Sequence, residues 1–202
     1  MKNEAALLIV DVQNDFCPGG ALAVPDGDRV IEPLSRVAER FSAAGLPVLA
    51  SRDWHPPVTC HFREFGGLWP PHCIQNSPGA AFHPALRLPE GTLVISKGSE
   101  PDSDSYSAFD GRGAGGSSLG DILAALHVRH LYVGGLATDY CVRSSVLDAR
   151  KAGLEVTVLV DAIAGVDVAA GDCEKARDEM VHAGATFCMT DEATCQIADL
   201  SA

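Results

Sequence analysis

Six short runs rich in valine, isoleucine and leucine recur along this chain, and helix-period segments fill most of the gaps between them. The runs are "AALLIVDV" (5 to 12), "LPVLAS" (46 to 51), "GTLVISK" (91 to 97), "HLYVGG" (130 to 135), "EVTVLVDA" (155 to 162) and "ATFCMT" (185 to 190). Helices are predicted at about 29 to 44, 118 to 128, 138 to 152 and 171 to 183, each closed by glycine or followed closely by a strand. Such alternation signals βαβ units. The expectation is an α/β fold with three α/β/α layers around a doubly wound, six-stranded, mainly parallel sheet. At 202 residues, 47% of them hydrophobic, the chain is long enough for one well-buried domain, residues 1 to 202, without room for a second. One gap differs from the rest. Between the second and third runs the sequence shows no helix period and is dense in proline, glycine, histidine and tryptophan. Loops that long in a compact domain are usually functional.

A formal net charge of −12 gives no basic stripe for phosphates, so neither nucleic acid nor an anionic membrane is an expected partner. A small neutral or cationic ligand fits better. The apolar run behind Glu4 is too short for a signal segment or a membrane span, and the expectation is a soluble, cytoplasmic protein. Seven cysteines, an odd number without a CxxC pair, argue against a disulfide framework and for a reducing compartment.

Placed on the predicted strands, the polar candidates gather at one edge. Asp11 ends the first strand, Asp53 follows the second, Lys97 ends the third, and "GGLATDYC" follows the fourth. Open α/β sheets bind ligands at the carboxyl edge, where the strand order reverses. With strands one and four as central neighbours, Asp11 and Cys141 face each other across that crevice. In "LATDYCVRSSVLDARKAGL" Thr138 is in an N-cap position, Val142, Val146 and Ala149 form an apolar stripe, and Gly153 is a stop. Cys141 then falls in the first helical turn, where free amides, the helix dipole and a nearby Lys97 are expected to lower its thiol toward ~7 or below from a free value near 8.5. The same amides can stabilise an oxyanion. A nucleophile, a base and a tuning cation together are what covalent acyl transfer requires. Taken singly, Cys141 reads more readily as a buried inert thiol, the commonest fate of a free cysteine, while Asp11 reads equally as a turn cap and Lys97 as a solvated edge lysine.

The stretches "IVDVQNDFCPGGALAV", "DWHPPVTCHF", "WPPHCIQNSPGAAFHP", "SKG" with "YSAFDG", and "GLATDYCVRSSVLDARKAGLEVTVLVDA" resemble those of the nicotinamidase/pyrazinamidase family of isochorismatase-like hydrolases, from about residue 5 to residue 190. The resemblance implies a Rossmann-like sheet and a catalytic triad of Asp11, Lys97 and Cys141. It also implies oxyanion amides from Ala137 and Cys141, a cis peptide between Leu136 and Ala137, and Phe16 and Trp69 flanking a substrate ring. Asp53, His55 and His72 match the family's metal ligands, and His61 matches a histidine that only some members have. An oxygen with three nitrogens suits one divalent ion, Zn²⁺, Fe²⁺ or Mn²⁺, with positions left open to water and ligand. A closed structural zinc site is the alternative, to which Cys60 and Cys73 would belong only if neighbours in extended chain pointed the same way. The implied reaction is hydrolysis of nicotinamide to nicotinate and ammonia, and of pyrazinamide to pyrazinoate, in NAD salvage. It proceeds through a thioester on Cys141, with the substrate's ring nitrogen on the metal and no organic cofactor, in a monomer or small homo-oligomer. Two alternatives stay open: a metal-independent amidase or ureidoacid hydrolase of the same superfamily, and a non-catalytic binding protein on this fold. Tyr140 stands where some members have histidine, and "GSEPDSDSYSAFDG" is unusually acidic. His83, His127, His130 and His182 read as ordinary surface or loop residues.

Overall fold

The structure, a computed structural model, describes residues 4–200; residues 1–3, 201 and 202 of the expected 1–202 domain lie outside the described part. Six strands, β1 (Ala5–Val10), β2 (Val48–Asp53), β3 (Leu93–Lys97), β4 (His130–Leu136), β5 (Glu155–Ala164) and β6 (Thr186–Cys188), form one sheet in the order β3-β2-β1-β4-β5-β6. Every pairing within it is parallel. Parallel strands are covered on both faces, which is why β1 is an unbroken apolar run. Ala5, Leu7 and Ile9 point into one core and Ala6, Leu8 and Val10 into the other.

The first core is closed by α1 (Ile31–Ala43) through Leu34, Val37, Ala38 and Phe41, and by α5 (Thr190–Leu200) through Ala193 and Ile197. The second takes Leu119 and Leu123 of α2 (Leu119–Ala125), Val146 and Ala149 of α3 (Arg143–Lys151) and Met180 of α4 (Asp172–His182). These are the three expected layers. The order reverses between β1 and β4, so the crevice lies where the polar candidates end. Among the described residues no helix is long and apolar enough to cross a membrane.

Three sequence expectations need correction. Thr138 is not an N-cap: the backbone runs as a π-helical turn over Thr138–Val142, with Ala137 preceding it and accepting from the Val142 amide, before α3 begins. Helix α5 has no counterpart among the expected helices: of its described buried residues only Ala193 and Ile197 are apolar, and the run before it reads as strand. His130 is no loop residue. It opens β4, half-buried, stacked on Tyr132, with Nε2 2.8 Å from Thr157 Oγ1.

Candidate active site and metal cluster

Four neighbouring strands each deliver one group to the carboxyl edge. Asp11 follows β1 in a left-handed conformation (φ 50°), which aspartate tolerates better than most residues. Its Oδ1 accepts from Ser51 Oγ at 2.7 Å. Asp53 closes β2 and is clamped by the buried Gln13 amide, which accepts from the Asp53 amide and donates to its carbonyl, both at 2.8 Å. Lys97 ends β3 and is not solvated at all: it is 1% exposed. Its Nζ lies 3.0 Å from Asp11 Oδ2 and 3.4 Å from Cys141 Sγ, and pairs with Asp53 Oδ1. Cys141 sits in the π-helical turn after β4, beyond a cis peptide between Leu136 and Ala137.

The electrostatics of this group follow from two carboxylates sharing one ammonium in a buried place. Burial disfavours the Lys97 charge, but Asp11 and Asp53 outweigh it and keep the amine protonated well above its ordinary range. Burial also works against the Asp53 charge, and the Lys97 ammonium, the largest opposing influence, holds the carboxyl well below its ordinary value, so Asp53 stays ionised. Asp11 goes the other way. Burial raises it, with Asp53 adding and Lys97 opposing, which leaves Asp11 the more basic carboxylate. The Cys141 thiol is pushed well above its ordinary value, first by burial and then by Asp11 and Asp53, against the pull of Lys97. This direction is opposite to the lowering expected from the sequence, because burial and two carboxylates outweigh the one cation they share. What the site holds is a thiol beside a basic carboxylate, ready for proton transfer as attack proceeds.

The histidines of the long loop converge on the other side of Asp53. His55, His61 and His72 are all buried and bring ring nitrogens within 4.8 Å of one another. Asp53 Oδ2 lies 3.6 Å from His55 Nε2 and 3.8 Å from His72 Nε2. Asp53 thus has one oxygen on the ammonium and the other on the imidazoles. His55 Nδ1 faces the carbonyl of Gly98 at 3.0 Å, where φ is 64° and an added Cβ would strike the His55 ring. His72 Nδ1 faces the Pro70 carbonyl at 2.8 Å. The loop is held by Asp15, whose Oδ2 accepts from the Cys73 amide at 2.7 Å. His55 Nε2 is buried without a hydrogen-bond partner, an orphaned acceptor that fits a cation. The donors are nitrogens with one carboxylate oxygen and no thiolate, since Cys60 is exposed and Cys73 joins no such cluster among the described residues.

Between the Asp11–Lys97–Cys141 group and the histidine cluster opens a cleft lined by Phe16, Trp69, Tyr106, Tyr140, Leu136 and Val166 together with Ala137 and Cys141. Phe16 packs on His72 at 5.5 Å between ring centroids, Trp69 meets Tyr140 edge-on at 5.1 Å, and Trp69 Nε1 donates to Tyr106 Oη at 2.9 Å. The structure brings together every candidate the sequence singled out. It also adds residues that sequence reading missed. Tyr106 completes the aromatic wall; Gln13 clamps Asp53; and the buried Asp139, two residues before Cys141, accepts from the Val166 and Asp167 amides at 3.0 and 2.8 Å. Gln13 and Asp139 act on segments far away in sequence, so no local spacing marks them.

Residues 5–192 match the family described as Isochorismatase domain. The chain is 43% identical over 198 residues to the nicotinamidase of Escherichia coli (strain K12), covering 90% of this chain and 93% of that protein. Among solved structures, the pyrazinamidase of Pyrococcus horikoshii in complex with zinc is similar at 45% identity with a TM-score of 0.85, over 92% of this chain and 99% of that one. An L. infantum protein solved in complex with nicotinate superposes with a TM-score of 0.83 at 35% identity, over 93% of each chain. The chain belongs to the isochorismatase family.

Proposed function

We propose that this chain is a metal-dependent amidohydrolase that converts nicotinamide to nicotinate and ammonia, and pyrazinamide to pyrazinoate, a step of NAD salvage, through a thioester on Cys141. The observation that carries the reading is the shared Asp53, which joins a buried Lys97–Asp11–Cys141 group to a three-histidine cluster beside an aromatic cleft. The relatives named above act on this substrate class.

Cys141 Sγ attacks the carboxamide carbon as Asp11 takes the thiol proton, and Lys97 stabilises the sulfur's developing negative charge. The amides of Ala137 and Cys141 are assigned to the oxyanion. Asp11 then gives its proton to the departing ammonia, and finally deprotonates the water that cleaves the thioester. Phe16 and Trp69 hold the ring faces. Asp53, His55, His61 and His72 would hold a divalent ion. When bound, that ion supplies a Lewis-acid position for the substrate's ring nitrogen, and so fixes the ring.

The test is ammonia release from nicotinamide, pyrazinamide, benzamide and N-carbamoyl compounds, beside elemental analysis of the same protein. Nicotinamide and pyrazinamide are expected to turn over. Benzamide, lacking the ring nitrogen, is expected to fall by on the order of 100-fold in kcat/KM. N-carbamoyl compounds outperforming all three, on protein without metal, would move the assignment to the metal-independent amidases.

A further inference from the structure

Each imidazole of the cluster has its Nδ1 engaged by a group outside the cluster, and that group differs among them. His55 Nδ1 and His72 Nδ1 meet backbone carbonyls, of Gly98 and Pro70. A carbonyl only accepts, so each Nδ1 carries the proton and each Nε2 is left with its lone pair. His61 has no carbonyl in this place. Its Nδ1 meets the carboxylate of Asp104, which lies on the acidic segment between β3 and α2 with its side chain 52% exposed. The His61 ring is held between stacking on His55, at 4.5 Å between centroids, and Tyr106 at 5.7 Å from the same segment.

We propose that Asp104 is a positioning residue for the metal: by accepting the Nδ1 proton of His61 it sets the tautomer that turns an Nε2 lone pair toward His55 and His72, and makes His61 a full third nitrogen donor. The inference rests on reading the histidine cluster as a divalent-metal site. It goes further in assigning a role to a residue outside the cluster, 43 positions from His61 in sequence. A carboxylate behind a ligating imidazole orients the ring and makes it a better donor, and removing such a partner typically weakens metal binding by about 10–100-fold. His55 and His72 owe their orientation to the backbone, which substitution leaves in place. His61 owes its orientation to one side chain, so its strength as a ligand is set by the residue at 104.

The experiment titrates metal-free protein with Co²⁺ against a chromophoric chelator and records the visible Co²⁺ spectrum, whose intensity reports the number and geometry of the ligands. The variants are Asp104→Ala, Asp104→Asn, His61→Ala, the double variant His61→Ala/Asp104→Ala, and Asp102→Asn as a control for loop charge. Asp104→Ala is expected to bind Co²⁺ about 10–100-fold more weakly and to shift the spectrum toward that of His61→Ala. Asp104→Asn, whose amide oxygen still accepts from Nδ1, should recover much of the loss. The double variant should bind like His61→Ala alone, since Asp104 acts only through that ring. Wild-type affinity in Asp104→Ala would overturn the proposal, as would an equal further loss on removing Asp104 when His61 is already gone, or an equal loss in Asp102→Asn. A wild-type protein that binds no Co²⁺ would remove the metal reading itself, whereas tight wild-type binding with an indifferent Asp104 removes only this assignment.

Discussion

Cys141 is a thiol whose neighbours pull in opposite directions, so the sign of each contribution is open to test. Cys141→Ala is expected to fold with an unchanged melting transition and to lose essentially all ammonia release, whereas Cys60→Ala and Cys195→Ala, both at exposed positions, keep it. Retained turnover in folded Cys141→Ala would end the covalent mechanism. The pH dependence of alkylation separates the two charged partners. Lys97 lowers the thiol, so Lys97→Ala moves the alkylation curve to higher pH; Asp11 raises it, so Asp11→Asn moves the curve to lower pH. Shifts in the same direction would contradict the assigned roles. Lys97→Ala also leaves two buried carboxylates without their cation, and urea unfolding should register a loss of about 3–5 kcal/mol. At this scale the sequence was legible wherever a group ends a strand, as Asp11, Asp53 and Lys97 do. It was illegible for Gln13, Asp104 and Asp139, which look like ordinary polar residues until tertiary contacts place them. The state of the thiol was misread for a related reason: helix-start amides are visible in sequence, but the burial of Cys141 between two carboxylates is not.

The elements were legible in proportion to their apolar signal. Strands buried on both faces read as continuous runs, and the stripe Val142, Val146, Ala149 identified α3. Its first turn did not read correctly, because Thr138 resembles a cap while the chain widens into a π turn with Ala137 at its start. Turns of that kind are common at functional sites. Helix α5 went unseen for want of apolar residues, yet it closes one core. Ile197→Ala is expected to cost about 2–4 kcal/mol in urea unfolding; a cost near zero would show that α5 is dispensable. Asp139 ties the π turn to the segment that follows β5, and Val166 of that segment lines the cleft. Two hydrogen bonds to a buried carboxylate are worth about 1.5–3 kcal/mol each, so Asp139→Ala should destabilise by about 3–6 kcal/mol and lower kcat/KM for nicotinamide. An unchanged kcat/KM would show that the segment's position is immaterial to the site.

For the molecule as a whole, His55, His61 and His72 lie on the long loop after β2 and are members of neither apolar core, although that loop lends Cys73, Ala80 and Leu86 to the first one. Chelation is therefore expected to abolish activity while leaving a cooperative unfolding transition, with a melting temperature within about 10 °C of the loaded protein. Loss of cooperative unfolding would instead mark a structural metal. The layer order was readable because the helix-strand alternation leaves few arrangements with right-handed crossovers. Across the sheet edge the four groups stand in the order Lys97, Asp53, Asp11, Cys141, from β3, β2, β1 and β4, and this spatial order is not their order in the chain. No fragment ending before β4 contains a working set, and no local hairpin or single βαβ unit assembles one. Turnover is thus a reporter of global folding: during refolding from urea, amidase activity should return together with burial of the sheet and never ahead of it, and a chain still being synthesised stays inert until its fourth strand has docked beside its first.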